Sequence, residues 1–288
     1  MNTGKTKNLG VMGWPIAHSL SPAMQQAAIE KAGIDYSYIA LPVEPQALPQ
    51  AVAGLKALNF RGWNVTIPHK TAIMPLLDEI DEDAAVIGAV NTVLNEDGRL
   101  KGYNTDILGF LRPLQEQGVA LEGAKVLILG AGGAARAVLW GMLRNKVASV
   151  VLAVRTLEKG EALAQEFRQR TQVEINVCAL GSEVFCQAQA QADLLVNTTP
   201  LGMTPKVDAA PPVNWELVKP TAFVYDIIYT PAETRFLREA REHGCPTQNG
   251  EHMLAGQGAA ALALWTGIEP DADCMCMALR QELEKKEQ

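Results

Sequence analysis

Apolar residues along the chain fall into short β-branched runs separated by longer stretches with helical spacing. The runs Asn8–Gly13, Tyr36–Pro42 and Gly62–Ile67 predict strands, and Ser21–Gly33 and Pro45–Asn59 between them predict helices. Ser21 is the expected N-cap of the first helix, with Pro22 at its first position and Gly33 closing it. A short helix over Thr71–Asp78 follows. Then Ala89–Leu94 and Arg99–Tyr103 flank Asn95-Glu96-Asp97-Gly98, a hairpin signal.

A second series starts near Asp106. It runs as a helix to about Gln117, strand Lys125–Leu129, helix Gly133–Arg144, strand Ser149–Val154, helix Leu157–Arg170 and strand Val173–Ala179. Strands Asp193–Thr198 and Ala222–Ile228 continue it, and helices Met253–Trp265 and Asp271–Lys286 come last. Regular βα alternation argues for an α/β fold with parallel sheets covered by helices on both faces. A chain of 288 residues suits two domains rather than one core. The expected division is 1–106 plus 250–288 for one domain and 107–249 for a doubly wound, Rossmann-type domain, with the last two helices returning to the first.

Composition narrows the function by exclusion. With 48% hydrophobic and 20% charged residues the chain reads as an ordinary globular protein. A net charge of −7 without basic runs argues against a nucleic-acid surface, so an anionic ligand must be met by local cations. The Met253–Trp265 stretch is 13 residues long and holds Gln257, too short to span a bilayer. MNTGKTKNLG has no apolar segment after its lysines, so no secretory signal is expected. The cysteines (Cys178, Cys186, Cys245, Cys274, Cys276) form no CxxC pair, and with only four histidines no metal-ligand spacing appears; reduced thiols in a cytoplasmic protein are expected.

The clearest candidate chemistry is Gly130-Ala131-Gly132-Gly133-Ala134-Ala135, which follows a predicted strand and opens a predicted helix. In the dinucleotide fingerprint, Gly130 permits the tight turn, Gly132 lets the backbone approach a pyrophosphate, and Ala135 keeps helix and strand close. The next strand ends in Val154, followed by Arg155, Thr156 and Lys159, with no acid to hold a ribose 2′-hydroxyl. Two cations there suit a 2′-phosphate, which favours NADP over NAD.

A second candidate is Asn64-Val-Thr-Ile-Pro-His-Lys70, a strand cut by Pro68 with a lysine just beyond the break. Lys70 there is either a solvated charge or a proton-handling group at a strand end. Ser19 and Ser21, two apart in an expected extended segment, suit a carboxylate; Ser21 is explained by capping, whereas Ser19 has no evident local duty. Asp106 is also a candidate cap for the helix that follows it, and Asn91 and Gln257 can serve backbone groups. Gln257 interrupts an apolar helix, where a buried amide needs a partner. Trp14 and His18 read as packing or pocket lining, and His69 should face away from Lys70.

These stretches occur with Pro15-Ile-Ala-His-Ser-Leu-Ser-Pro22, Gly88-Ala-Val-Asn-Thr92, Gly102-Tyr-Asn-Thr-Asp106, Asn197-Thr-Thr-Pro-Leu-Gly-Met203, Tyr225-Asp-Ile-Ile-Tyr229 and Gly250-Glu-His-Met-Leu-Ala-Gly-Gln257. In that order and over almost the whole length, the chain resembles shikimate dehydrogenases. The resemblance implies reversible NADP-linked reduction of 3-dehydroshikimate to shikimate, a step towards chorismate and the aromatic amino acids. It implies that Ser19, Ser21 and Tyr229 hold the substrate carboxylate. Thr66, Asn91, Asp106 and Gln257 would contact ring hydroxyls, and Lys70 with Asp106 would sit at the reacting oxygen. Gly130, Ala131, Gly132, Gly133 and Ala134 would hold NADP with Val154, Arg155, Thr156 and Lys159, while Ile227 and Gly250 would lie beside the nicotinamide.

Two departures from the family pattern matter. Val154 stands where the family commonly has Asn before Arg-Thr, which removes one polar contact near the adenosine ribose. Ile107 follows Asp106 where glycine is common, which leaves quinate open as a second substrate. The competing readings are a quinate/shikimate dehydrogenase using NAD and a non-catalytic metabolite sensor, and the Lys70–Asp106 pair argues against the sensor. The chain is expected to be a monomer or homodimer whose partner is a small-molecule substrate, with neither nucleic acid nor membrane.

Overall fold

The computed structural model describes residues 3–287. The chain divides into two compact units: one runs to Gly109 and resumes at Leu254, and the other spans Phe110–Met253.

The first unit contains β1 (Lys7–Gly13), α1 (Ser21–Ala32), β2 (Tyr36–Pro42), α2 (Leu48–Ala57), β3 (Gly62–Val65), α3 (His69–Ala72), β4 (Glu79–Ile80), α4 (Glu82–Ile87), β5 (Thr92–Glu96), β6 (Arg99–Tyr103) and the start of α5 (Asp106–Glu116). The end of α10 (Glu251–Thr266) and all of α11 (Ala272–Glu287) complete it. Its sheet has the order β2-β1-β3-β5-β6-β4 and is mixed, which corrects the expectation of parallel strands for this unit. β1 runs parallel to β2 and β3, but β5 is antiparallel to both β3 and β6. The hairpin sets the β5–β6 pair: Asp97 and Gly98 take φ of 51° and 88°, the paired positive angles that return a strand directly antiparallel.

Apolar clusters cover both faces of this sheet. One joins Leu9, Met24 and Ile29 to Leu262 and Met275 of the last two helices, and the other joins Val52 and Leu55 of α2 to Trp63, Ile73 and Leu100. On β3, a Cβ at Gly62 would lie 2.1 Å from Trp265 Nε1, which donates to the Val93 carbonyl at 2.9 Å. Only glycine admits that approach.

Several boundaries move for local reasons. The helix expected from Pro45 begins as a 3₁₀ turn, Pro45–Ala47, and becomes α2 at Leu48, so that Pro49 stays in the first turn, where its missing N–H costs nothing. β3 ends at Val65 because the Thr66 carbonyl already accepts from His69 N (2.9 Å) as the chain turns. The helix expected over Thr71–Asp78 is α3 followed by the 3₁₀ turn Met74–Leu76.

The second unit continues α5 and adds β7 (Lys125–Leu129), α6 (Gly133–Arg144), β8 (Ser149–Val154), α7 (Leu157–Arg168), β9 (Glu174–Ala179), α8 (Glu183–Gln191), β10 (Leu194–Asn197), β11 (Phe223–Asp226), α9 (Arg235–Glu242) and β12 (Thr247–Gln248). Its sheet, β12-β11-β10-β7-β8-β9, is parallel throughout. The strand order reverses between β7 and β10, the switch point where doubly wound sheets bind ligands. No helix among the described residues is long and apolar enough to cross a membrane.

Candidate active site

In the first unit, three of the expected residues meet directly. Lys70, on α3, donates from Nζ to Asp106 Oδ2 at 2.7 Å, and Asn91 donates from Nδ2 to Asp106 Oδ1 at 2.7 Å. Asp106 starts α5, but its carboxylate is taken up by these two donors, which corrects its reading as a helix cap. The Asp106 backbone N–H is instead bound by Asn104 Oδ1 at 3.1 Å. The pair is half-shielded, with side chains 32% (Lys70) and 17% (Asp106) exposed, so water reaches the ammonium while the carboxylate is largely covered. Asn91 is buried and anchored, its Oδ1 accepting from Thr105 N at 2.8 Å. Asn64, Thr92 and Thr105, which sequence reasoning did not single out, are buried polar residues bonded around it.

Ser19 and Ser21 are close together, but not for the expected reasons. α1 starts at Ser21 with Leu20 as N-cap and no side-chain capping bond, so Ser21 is not the cap. Leu20 has helical φ and ψ, so the segment is a turn and the alternation argument for two hydroxyls on one side does not hold. Ser19 does have a local duty: its Oγ accepts from Ser21 N at 3.3 Å. Both serines are half-buried.

Thr66, half-buried, is pressed against Gly13, where a Cβ would lie 2.5 Å from Thr66 Cγ2. Gln257, buried on α10, donates to the Leu254 carbonyl at 2.9 Å, so its partner lies within its own helix. Ser19, Ser21, Thr66 and Gln257 make no hydrogen bond to Lys70, Asn91 or Asp106. His69 is buried, with Nε2–H on the Val43 carbonyl at 2.7 Å, and Trp14 is 42% exposed rather than packed.

In the second unit the glycine loop joins β7 to α6 at the switch point. Gly130 has φ of 112°, and a Cβ there would meet Thr198 Oγ1 at 2.8 Å, so glycine is required twice over. Gly132 caps α6, and added Cβ atoms on Gly132 or Gly133 would project into open space. That open backbone faces a cavity of about 370 Å³ lined by Gly130, Ala131, Gly132, Val154, Arg155, Thr156 and Lys159, along with Ala153, Leu180 and the Thr199–Leu201 segment. No acidic residue lines it, and Arg155 and Lys159 are exposed. Open backbone at a helix N-terminus and two cations suit a dinucleotide with a 2′-phosphate. Ala134 lies in the first turn of α6. Leu180 and Thr199 were missed; Thr199 follows the strand beside the switch point, and that position was its available signal.

At the end of β11, Asp226 is fully buried. It accepts from Thr234 Oγ1 (2.6 Å), Asn197 Nδ2 (3.0 Å) and Ile228 N (3.1 Å). Burial outweighs these three donors and pushes its carboxyl up to about 7. Asn197 in turn accepts from Thr199 N and Oγ1 (3.0 and 2.7 Å), which ties a wall of the cavity to the segment that carries Ile227. Ile227 is half-buried against Gly250, and Tyr229 is half-buried with its phenol pushed up by burial. Among the described residues, no group of three or more His, Cys, Asp or Glu side chains could hold a metal ion.

Comparison with known proteins agrees with this geometry. Residues 11–93 match the family described as "Shikimate dehydrogenase substrate binding domain", 114–207 match "Shikimate / quinate 5-dehydrogenase", and 250–280 match "Shikimate 5'-dehydrogenase C-terminal domain". A curated relative from Moorella thermoacetica, named "Shikimate dehydrogenase (NADP(+))", is 48% identical over 96% of this chain and 93% of its own length. The Listeria monocytogenes shikimate 5-dehydrogenase, solved with shikimate and NAD, superposes with a TM-score of 0.93 at 36% identity, covering 96% of this chain and 98% of that one. The Thermus thermophilus enzyme, solved with NADP(H) and shikimate, gives a TM-score of 0.86 at 40% identity, covering 96% and 99%.

Proposed function

The chain belongs to the shikimate dehydrogenase family, and from that membership we propose that it catalyses the reversible NADP-linked reduction of 3-dehydroshikimate to shikimate. The observation that carries the reading is the Lys70–Asp106 contact at 2.7 Å, with Asn91 on the other carboxylate oxygen. An alcohol–ketone interconversion needs a group that moves a proton at the reacting oxygen, and a pure binder does not. The cofactor, when bound, would supply the hydride as NADPH in reduction and accept it as NADP+ in oxidation. In reduction the Lys70 ammonium donates a proton to the carbonyl oxygen, and in oxidation the pair takes it back from the hydroxyl. Asp106 holds Lys70 in place and accepts a bond from a ring hydroxyl, with Asn91, Thr66 and Gln257 as further hydroxyl contacts.

Ser19 and Ser21 hold the substrate carboxylate. Gly130, Ala131, Gly132, Gly133 and Ala134 cradle the pyrophosphate at the start of α6. Arg155, Thr156 and Lys159 take the 2′-phosphate beside Val154, and Ile227 and Gly250 flank the nicotinamide. The substrate domain is assigned to 1–106 with 250–288 and the cofactor domain to 107–249.

The test is a matrix of steady-state rates with shikimate and quinate, each with NADP and NAD. The reading expects kcat/KM to be highest for shikimate with NADP. Higher efficiency with NAD and quinate would replace it with a quinate dehydrogenase, and no turnover with any pair would leave a binding protein.

A further inference from the structure

The polar groups behind Asp106 form a chain in which the carboxylate and backbone groups fix the orientation of both amides. Asn91 must turn its nitrogen toward the carboxylate and its Oδ1 toward Thr105 N, because a carboxylate only accepts and a backbone N–H only donates. Asn64 is fixed in the same way. Its nitrogen faces the Asn91 carbonyl at 3.2 Å, so its Oδ1 is left to accept from the Tyr38 hydroxyl at 2.6 Å. Between the two amides, the Thr92 hydroxyl accepts from Asn64 Nδ2 at 3.0 Å and donates to Asn91 Oδ1 at 3.0 Å. Donors therefore run one way, from Tyr38 through Asn64, Thr92 and Asn91, and end on the Asp106 carboxylate.

This chain crosses the sheet rather than following a strand. Tyr38 stands on β2, Asn64 on β3 and Thr92 on β5, and Asn64 and Thr92 are register partners. Tyr38, Asn64, Thr92 and Asn91 are all buried, where polar side chains cost stability unless each is satisfied. Burial holds the Tyr38 phenol well above its usual range, so it keeps its proton and stays a donor. Aligned links polarise one another in a low-dielectric interior, so a distant donor strengthens the last bond of the series.

We infer that Tyr38, Asn64 and Thr92 are positioning residues for the reaction, acting through Asn91 to hold one Asp106 oxygen and leave the other to Lys70. The inference rests on the reading of Lys70 and Asp106 as the proton-handling pair. None of the three touches the reacting atoms. They set the rotamer of the carboxylate, and so hold Lys70 in place.

The experiment is Tyr38→Phe, which removes one hydroxyl, made in the native chain and again in Asp106→Ala. Thr92→Val serves as a second break closer to the carboxylate. In the native chain, Tyr38→Phe should lower kcat for shikimate oxidation about three- to ten-fold with the KM for NADP unchanged, and Thr92→Val should lower it further. In Asp106→Ala the same Tyr38→Phe change should alter kcat by less than about two-fold, since the chain then has nothing to act on. Equal losses in both backgrounds, as a merely structural hydroxyl would give, would overturn the inference, and so would no loss in the native chain. Lys70→Ala is assayed alongside. If it retains most of its activity, the reading of the pair fails and takes the inference with it. If Lys70→Ala is slow and Tyr38→Phe is normal, only the inference fails.

Discussion

Gly250 and Ile227 are in such close contact that a Cβ on Gly250 would lie 2.0 Å from the Ile227 carbonyl oxygen and 2.5 Å from its carbon. The atoms in the way are backbone and cannot swing aside, and Gly250 N also donates to the Ile228 carbonyl at 2.9 Å. Gly250→Ala should therefore cost at least the usual ~1–3 kcal/mol of overpacking and displace the Ile227 segment. Thermal unfolding together with NADP titration checks this. A variant that melts and binds NADP like the native protein would show that the backbone yields freely there.

Lys70→Ala should lower kcat by about 10²–10⁴, the usual worth of a positioned acid–base group, with NADP affinity nearly unchanged because every residue lining the cofactor cavity belongs to the other unit. Asp106→Ala should be slow and should also bind shikimate more weakly. If the two act as one relay, the double variant is little worse than the slower single one, whereas multiplicative losses in single-turnover rates would mean independent roles.

Arg155 is exposed at the rim of the cofactor cavity and makes no ion pair among the described residues, so its charge is available to a ligand. Arg155→Ala should reduce the preference for NADP over NAD by about ten-fold or more, the worth of one charge-assisted bond. Equal weakening of both cofactors, measured by fluorescence titration, would make the arginine a purely structural residue.

Asp226 gives a pH dependence of known sign. Its carboxyl titrates near 7 in the folded chain, above its ordinary value of 3.8. Between those values the folded state holds a proton that the unfolded state has lost. Its contribution to stability therefore falls as pH rises through that window and levels off above about 7. Asp226→Asn keeps the acceptor for Asn197 and Ile228 N and removes the titration. Relative to the native protein, the variant should gain on the order of 2–4 kcal/mol between pH 5 and pH 8. A stability difference that is flat across that range in urea titrations would refute the assignment.

The cofactor side was largely legible because its signals are local. The bounds of β7, α6 and β8 were readable from the strand, the glycine run and the apolar helix that follows. The sheet of the first unit was less so. The Asp97-Gly98 turn was visible, but its consequence for strand direction depends on which strand β5 pairs with, and that is a tertiary fact. The serines illustrate a different limit: whether Ser21 caps or merely begins α1 is decided by the backbone angles of Leu20, which no residue type dictates. Asn64 and Thr92 were passed over because each is unremarkable alone, and their meaning arises only when β3 and β5 set them side by side.

The glycine at 62 has a consequence for how the chain is made. Trp265 fills the space where a side chain on Gly62 would stand, and α11 packs against α1. The strands of the first unit thus lack part of their interior until α10 and α11 have been translated. At ordinary elongation rates that delay is roughly ten seconds or more. Phe110–Met253, by contrast, is continuous and can close as soon as it emerges. The continuous unit can therefore close before the split one that precedes it in the chain.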